Sequence, residues 1–195
     1  MDAVSVLAGR ISEVASERPD PILVALDGRS AAGKSTLAAV VAPLVGAVVI
    51  DGDDFYSGGS AETWDAMSAA EKAGHCIDWR RQHSVLEKLA RGEAASWRPY
   101  DWEADDGSLT DRTVTCDPAP VVILDGAYSA RPELADLFDL RVLVDAPAGL
   151  RRKRLVHREG EGFRLDWNRR WDDAEQWYFA EVMPRESFDL IVTAN

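Results

Sequence analysis

The sequence predicts an α/β protein in which a mostly parallel five-stranded sheet is covered by helices on both faces. Two observations carry this reading. Five short apolar runs lack the in–out alternation of a half-exposed strand, as expected where both faces are buried. Between them lie segments with apolar residues at helical spacing, long enough to serve as the crossovers that parallel strands require.

Taken in order, residues 3–17 carry Val4, Leu7, Ile11 and Val14 on one helical stripe, and Pro19-Asp20-Pro21 ends that helix. Residues 22–26 form the first buried strand, and residues 34–41 a following helix. Residues 47–50, 121–124, 142–144 and 188–192 supply the other four strands. A helix over 82–91 is predicted from Val85, Leu86 and Leu89, and another over 133–138 from Pro132 at its first position. Residues 149–158 read as a strongly basic helix. Residues 166–182 read as the longest helix, with Trp167, Trp171, Ala174, Tyr178 and Val182 on one stripe. Residues 56–118 break this rhythm; they are polar, rich in Trp and Asp, and read as an insertion beyond the carboxyl edge of the sheet. Ligands of open α/β sheets bind at that edge.

The chain has 195 residues, 46% apolar and 29% charged, a globular composition with ample material for a core. Its 34 acids against 22 bases give a net charge of −12, which argues against a nucleic acid or an anionic membrane as partner. The charge is unevenly spread. Residues 151–170 hold eight basic groups against Glu159, Glu161 and Asp166, a local net of +5. Cys76 and Cys116 match no disulfide or metal-ligand spacing, and the first twenty residues lack the apolar stretch of a signal peptide, so a cytoplasmic location is expected. The longest apolar run, residues 37–50, contains Pro43 and Gly46 and is too short to span a bilayer. Oligomeric state cannot be read from the chain.

The most specific signal is Gly28-Arg29-Ser30-Ala31-Ala32-Gly33-Lys34-Ser35, a complete G-x-x-x-x-G-K-[ST] phosphate loop set between a buried strand and a helix. Its glycines let consecutive N–H groups turn inward onto phosphate oxygens, and the helix that follows adds its positive end. Lys34 is placed to reach the β- and γ-phosphates, and the Ser35 hydroxyl to ligate Mg²⁺. Residues 28–36, through Thr36, therefore form the expected ATP cradle. Asp125-Gly126 closes the strand at 121–124; it reads as a turn, or, beside a phosphate loop, as part of a Mg²⁺ shell. Asp51, Asp53 and Asp54 follow the strand at 47–50. Such a run is commonly a solvated loop, but a carboxylate there is also where an attacking alcohol would surrender its proton. No N-K-x-D guanine-reading motif is present, and Ser57-Gly58-Gly59-Ser60 is not an ABC signature. These absences count against a switch or assembly NTPase, the competing reading.

These elements in this order resemble the uridine kinase and phosphoribulokinase branch of P-loop kinases, from about residue 22 to residue 192. The resemblance implies a three-layer α/β/α P-loop kinase, a single domain over 1–195 with an acceptor-binding insertion (56–118) and an arginine lid (149–166). It implies transfer of a phosphoryl group from ATP·Mg²⁺ to a hydroxyl of a small acceptor, a nucleoside or related sugar-like alcohol. Asp53-Asp54-Phe55-Tyr56 matches the family's D-x-F-Y, which maps the general base onto Asp53 and brings Tyr56 to the acceptor. Ser35, Asp53 and Asp125 are the implied metal residues; Asp125 stands where the family usually has Glu. Ile77-Asp78-Trp79 resembles the stretch whose Asp binds sugar hydroxyls, and Arg98-Pro99-Tyr100-Asp101-Trp102 the segment lining the acceptor pocket, so Asp78, Arg98, Tyr100 and Asp101 are implied substrate residues. Where uridine and cytidine kinases carry a base-reading His, this chain has Glu103-Ala104-Asp105-Asp106, a departure that bears on the acceptor. The basic segment matches the lid: Arg154 and Arg158 share a helix face, and Arg164 follows a Gly160-Glu161-Gly162 hinge. Arg158 is the implied stabiliser of the transferring group. Arg151 can share that face, whereas Arg152, Lys153, Arg169 and Arg170 fit a solvated basic surface. Trp167 and Trp171 are expected in the core; Trp79, Trp97 and Trp102 flank the acceptor residues.

Overall fold

The computed structural model describes residues 2–18, 21–159 and 165–193. Five parallel strands stand in the order β2-β5-β1-β6-β7, where β1 is Ile22–Asp27, β2 Ala47–Asp51, β5 Val121–Asp125, β6 Leu140–Asp145 and β7 Leu190–Thr193. In register, Leu26 lies beside Asp125 and Asp51 beside Asp125, so the ends of β1, β2 and β5 meet at one edge. The strands divide their side chains between two cores. Ile22, Val24, Leu26, Val121, Ile123, Val142 and Val144 pack with α1 (Ala3–Ser16) and α2 (Lys34–Val45). Leu23, Ala25, Val122, Leu124 and Leu143 face the other way, onto α5 (Trp79–Ala90) and α7 (Leu165–Trp177), which continues as a π-helical turn Tyr178–Val182. Every residue of β1 is buried, which is why its sequence shows no alternation. The arrangement is a three-layer α/β/α sandwich.

Pro43 does not end α2, which runs to Val45 before Gly46 caps it at φ 66°; Pro43 sits on the exposed side of the final turn. Asp78 caps α5 three residues earlier than the apolar stripe suggests, accepting from the Arg81 amide. The helix expected over 133–138 is only a 3₁₀ turn, Pro132–Leu134. The chain has to enter β6 at Leu140, and Asp139 is already tied to Leu23, its carboxylate accepting from the Leu23 amide at 2.9 Å, so no room remains for further helix. The insertion contains α3 (Ala61–Ala66), α4 (Ala69–His75), α5 and an antiparallel pair, β3 (Ala95–Trp97) with β4 (Val114–Cys116). The basic helix is α6 (Ala148–Glu159). Arg164 and the Gly160–Gly162 hinge lie outside the described residues, as do Pro19 and Asp20, and Trp167 outside those whose side chains are described. Among the described residues no helix is long and apolar enough to cross a membrane.

Candidate active site

The phosphate loop leaves β1 at Gly28, whose φ is 151° and whose missing side chain would meet the Val144 carbonyl at 2.3 Å; only glycine turns the chain this close to β6. Gly33, at φ 102°, then delivers Lys34 and Ser35 into the first turn of α2. Ser30, Ala31, Gly33, Lys34, Ser35 and Thr36 line a cavity of about 1110 Å³ at the carboxyl edge of the sheet. Gly28, Arg29 and Ala32 stand behind that lining; Arg29 instead lies over the Phe179 ring and 3.8 Å from Asp172. Lys34 is buried, and its Nζ donates to the Gly28 carbonyl at 2.7 Å.

Four carboxylates line the cavity with it: Asp2 from the start of α1, and Asp51, Asp53 and Asp125 from the sheet edge. The acidic run is not merely a solvated loop. It folds as a 3₁₀ turn, Gly52–Phe55, capped by Asp51, and a side chain at Gly52 would come within 2.9 Å of the Asp125 carbonyl. The approach of those two backbones is what sets Asp53 opposite Asp125. Asp53 has surface open to the cavity yet is enclosed by its walls. Desolvation, helped by Asp51 and Asp125 and opposed by Lys34 and Arg158, pushes its carboxyl up to about 6. Asp125 is also raised, chiefly by burial, against a hydrogen bond from Ser35. Its Oδ1 is buried without a hydrogen-bond partner, an acceptor left facing the site. No cluster of three metal-ligating carboxylate, His or Cys groups is assembled among the described residues. Mg²⁺ keeps waters and takes one or two protein ligands plus phosphate oxygens, and the orphaned Asp125 oxygen beside Ser35 is an acceptor of that kind. Ser35 and Asp125 fit it.

The predicted acceptor segments are stitched to the same turn by backbone hydrogen bonds. The Asp78 amide donates to the Phe55 carbonyl at 2.8 Å, and the Tyr100 amide to the Asp54 carbonyl at 2.9 Å. Their side chains are differently employed. Asp78 caps α5 through one oxygen. Arg98 donates to the Thr110 and Leu109 carbonyls and to Asp111. The Tyr100 hydroxyl donates to Asp105, within residues 103–106, and Asp101 accepts from the Glu103 and Ala104 amides. Tyr56 is buried among aromatic rings, stacked 4.9 Å from Trp102, which remains about half exposed. Trp97 is buried against Phe55 and donates to Asp54, and Trp79 lies under the Arg80 guanidinium.

From α6, Arg154 and Arg158 both reach the cavity, with Arg154 donating to the Ala31 and Ala32 carbonyls. Arg151 donates to the Ser30 carbonyl at 3.3 Å. Arg170, expected on a solvated surface, is buried and paired with Asp65 at 2.6 Å. Trp171 packs against Trp64 as the stripe predicts.

Two buried carboxylates escaped the sequence reading. Asp27 is fully buried and accepts four hydrogen bonds, from the Gly28, Tyr128 and Ala130 amides and from the Tyr178 hydroxyl. Glu175 accepts from the amide and the hydroxyl of Ser30. Asp27 had a visible signal, a charge ending a strand buried on both faces; Glu175 sits among the exposed acids of its helix and had none.

A nucleotide-type phosphate loop on a parallel three-layer sheet, with carboxylates at the neighbouring strand ends and arginines reaching across, defines a P-loop kinase. The model of the phosphoribulokinase / uridine kinase family matches residues 23–162, and the chain belongs to that family. It is 27% identical over 149 residues to uridine kinase-like protein 3 of Arabidopsis thaliana, 73% of this chain but only about a third (32%) of that relative's length. It is 28% identical over 157 residues to the uridine kinase of Vibrio vulnificus, 75% of this chain and 72% of the relative. A solved structure titled as a possible uridine kinase from Bacillus stearothermophilus shares the fold, with TM-score 0.74, 19% identity and 97% of each chain covered. Family membership makes this a small-molecule kinase.

Proposed function

We propose that the chain transfers the γ-phosphoryl group of ATP, with Mg²⁺, to a hydroxyl of a nucleoside or related sugar-like alcohol. One observation carries the reading: Asp53 opens on the cavity that holds Lys34 and the Ser35–Asp125 pair, while the backbone of its own turn carries the segments of Asp78 and Tyr100. The two halves of a transfer reaction thus meet at one carboxylate.

In this reading the loop N–H groups and Lys34 hold the β- and γ-phosphates, and Ser35 and Asp125 hold Mg²⁺, which supplies charge neutralisation at the phosphates. Asp53 takes the proton of the attacking hydroxyl. Its raised affinity for a proton, near 6, makes it a stronger base than an ordinary carboxylate while leaving it ionised at neutral pH. Arg154 and Arg158, with Arg164 from the segment beyond α6, offset the charge spreading over the transferring oxygens. The cavity lining also includes Val4, Val6, Val40 and Ile191, apolar surface that suits the nucleotide base. The same reading assigns Tyr56, Asp78 and Trp102 to the acceptor, with Arg98, Tyr100 and Asp101 shaping the loop around it. Residues 103–106 hold three carboxylates where the family's base-reading His would stand, so hydrogen-bond acceptors take its place. Acceptors bearing N–H or O–H groups there fit better than a bare pyrimidine carbonyl.

The test is ATP consumption against a panel of nucleosides, sugars, amino sugars and vitamins bearing hydroxyls. At least one acceptor should stimulate turnover, and Asp53→Asn should lower that stimulated kcat by about 10²- to 10⁴-fold while nucleotide binding persists. Acceptor-independent hydrolysis alone, or full activity in the variant, would overturn the assignment in favour of a nucleotide-hydrolysing switch.

A further inference from the structure

Helix α7 touches both halves of the site, and its contacts follow one face. Near its start, Arg170 pairs with Asp65 on α3 at 2.6 Å, and Trp171 packs 5.2 Å from Trp64 and 6.0 Å, edge-on, from Tyr56. One turn on, Glu175 accepts from the Ser30 amide at 2.7 Å and from the Ser30 hydroxyl. Just beyond, the Tyr178 hydroxyl donates at 2.9 Å to Asp27, which itself accepts from the Gly28 amide. The helix thus grips the acceptor insertion at residues 56 and 64–65, the phosphate loop at Ser30, and the strand end that leads into the loop at Asp27. Residues 171, 175 and 178 are spaced to lie on one side of a helix.

Glu175 is the anomaly in this arrangement. It is 2% exposed, and it places a carboxylate against a loop built to attract an anion. Its second oxygen is 4.0 Å from Arg151, which also donates to the Ser30 carbonyl. Both polar groups of the Ser30 backbone are therefore committed to helices α6 and α7. The two peptide units that flank Ser30 are each anchored, one through its N–H and the other through its C=O, which fixes the course of the loop at this point. We infer that Glu175 is a positioning residue that sets the phosphate loop through Ser30 and, through Arg170 and Trp171 on the same helix, ties the loop's conformation to the acceptor insertion. The inference rests on the reading of residues 28–36 as a nucleotide cradle. Its consequence is that a disturbance at the insertion is felt in nucleotide affinity.

The test is calorimetric titration of the full chain with Mg²⁺ and the non-hydrolysable analogue AMPPNP, alongside melting temperatures. Glu175→Ala should weaken binding by about tenfold, the loss expected for a charge-assisted hydrogen bond, and the isosteric Glu175→Gln by about threefold, because it still offers one carbonyl oxygen to the Ser30 amide. This graded rescue should appear without a matching order in melting temperature; a merely structural role would move affinity and melting together. Should Glu175→Ala not fold, Glu175→Gln and Ser30→Ala carry the same comparison, the latter with a loss of about twofold. Asp65→Asn, a change at an exposed partner on the insertion, should weaken AMPPNP binding by about twofold, and combined with Glu175→Gln should cost less than the product of the two. Wild-type affinity in both Glu175 variants would overturn the positioning role, and a simple product in the double variant would overturn the tie to the insertion. Failure of the wild-type protein to bind AMPPNP would instead overturn the nucleotide cradle itself.

Discussion

The two halves of the proposed site, one for nucleotide and one for acceptor, are built from opposite materials. In the first, Ser35, Asp53 and Asp125 line one cavity beside Lys34, whose Nζ rests on the Gly28 carbonyl, and the register sets the ends of β1, β2 and β5 side by side beneath them. In the second, Arg98, Tyr100 and Asp101 direct their polar ends into the loop that carries them. The difference follows from the ligands. A triphosphate is the same object in every kinase, so a rigid sheet edge can hold its chemistry. An acceptor varies, and the surface that receives it is shaped by loops whose own stability has to be secured by side chains.

The largest expected effect tests the first half. Lys34→Met should lower acceptor-stimulated ATP turnover by about 10²- to 10³-fold, the scale seen when a single donor to a developing charge is removed. The comparison would break if turnover stayed within threefold of wild type, since Lys34 would then be no more committed to chemistry than Arg98 is.

These two halves were unequally legible in the sequence. The strands showed themselves because residues buried on both faces must be apolar in succession, and the phosphate loop because its function requires particular residues at fixed consecutive spacing. Asp53 was identifiable only through the resemblance, since three neighbouring acids offer no way of choosing among themselves; the structure separates them by setting Asp51 as a cap and Asp54 against the Trp97 indole. Arg170 was misplaced because helical spacing cannot say that Asp65, over a hundred residues earlier, stands opposite it. The partners of Arg98 lie eleven to thirteen residues away, across a loop with no periodicity to read. Tertiary pairing of polar groups is what sequence pattern leaves open, and the acceptor half consists largely of such pairing.

An intermediate effect probes the junction of the halves at Asp27. Burial pushes its carboxyl up to about 6, against the pull of its hydrogen bonds and Lys34. A carboxyl whose folded value exceeds its unfolded value of 3.8 binds a proton more tightly in the folded state. The folded protein therefore gains relative stability from this group as pH falls through 6 toward 4, and loses that gain as pH rises. Asparagine at this position does not titrate. Denaturant unfolding at pH 7 and pH 5 should show wild type improving relative to Asp27→Asn by about 1 kcal/mol on acidification. An unchanged gap would mean that the four donors hold Asp27 ionised throughout and that it anchors the phosphate loop as a permanent charge.

The smallest effect is expected at Arg98, where it is the most discriminating. Its guanidinium is half exposed, so its ion pair with Asp111 contributes little, and the bonds to the Thr110 and Leu109 carbonyls are what close the loop. Arg98→Ala should lower stability by about 1 kcal/mol or less, read as a shift of a few degrees in melting temperature. The acceptor KM should rise by no more than a few-fold, following the loosened loop. Arg98→Lys keeps the charge but cannot form the fork that spans two carbonyls, so it should behave like Arg98→Ala in both measurements. If Arg98→Lys instead restored acceptor KM while leaving the melting temperature low, charge rather than loop closure would be the property used. The acceptor half would then contact its ligand as directly as the phosphate loop does.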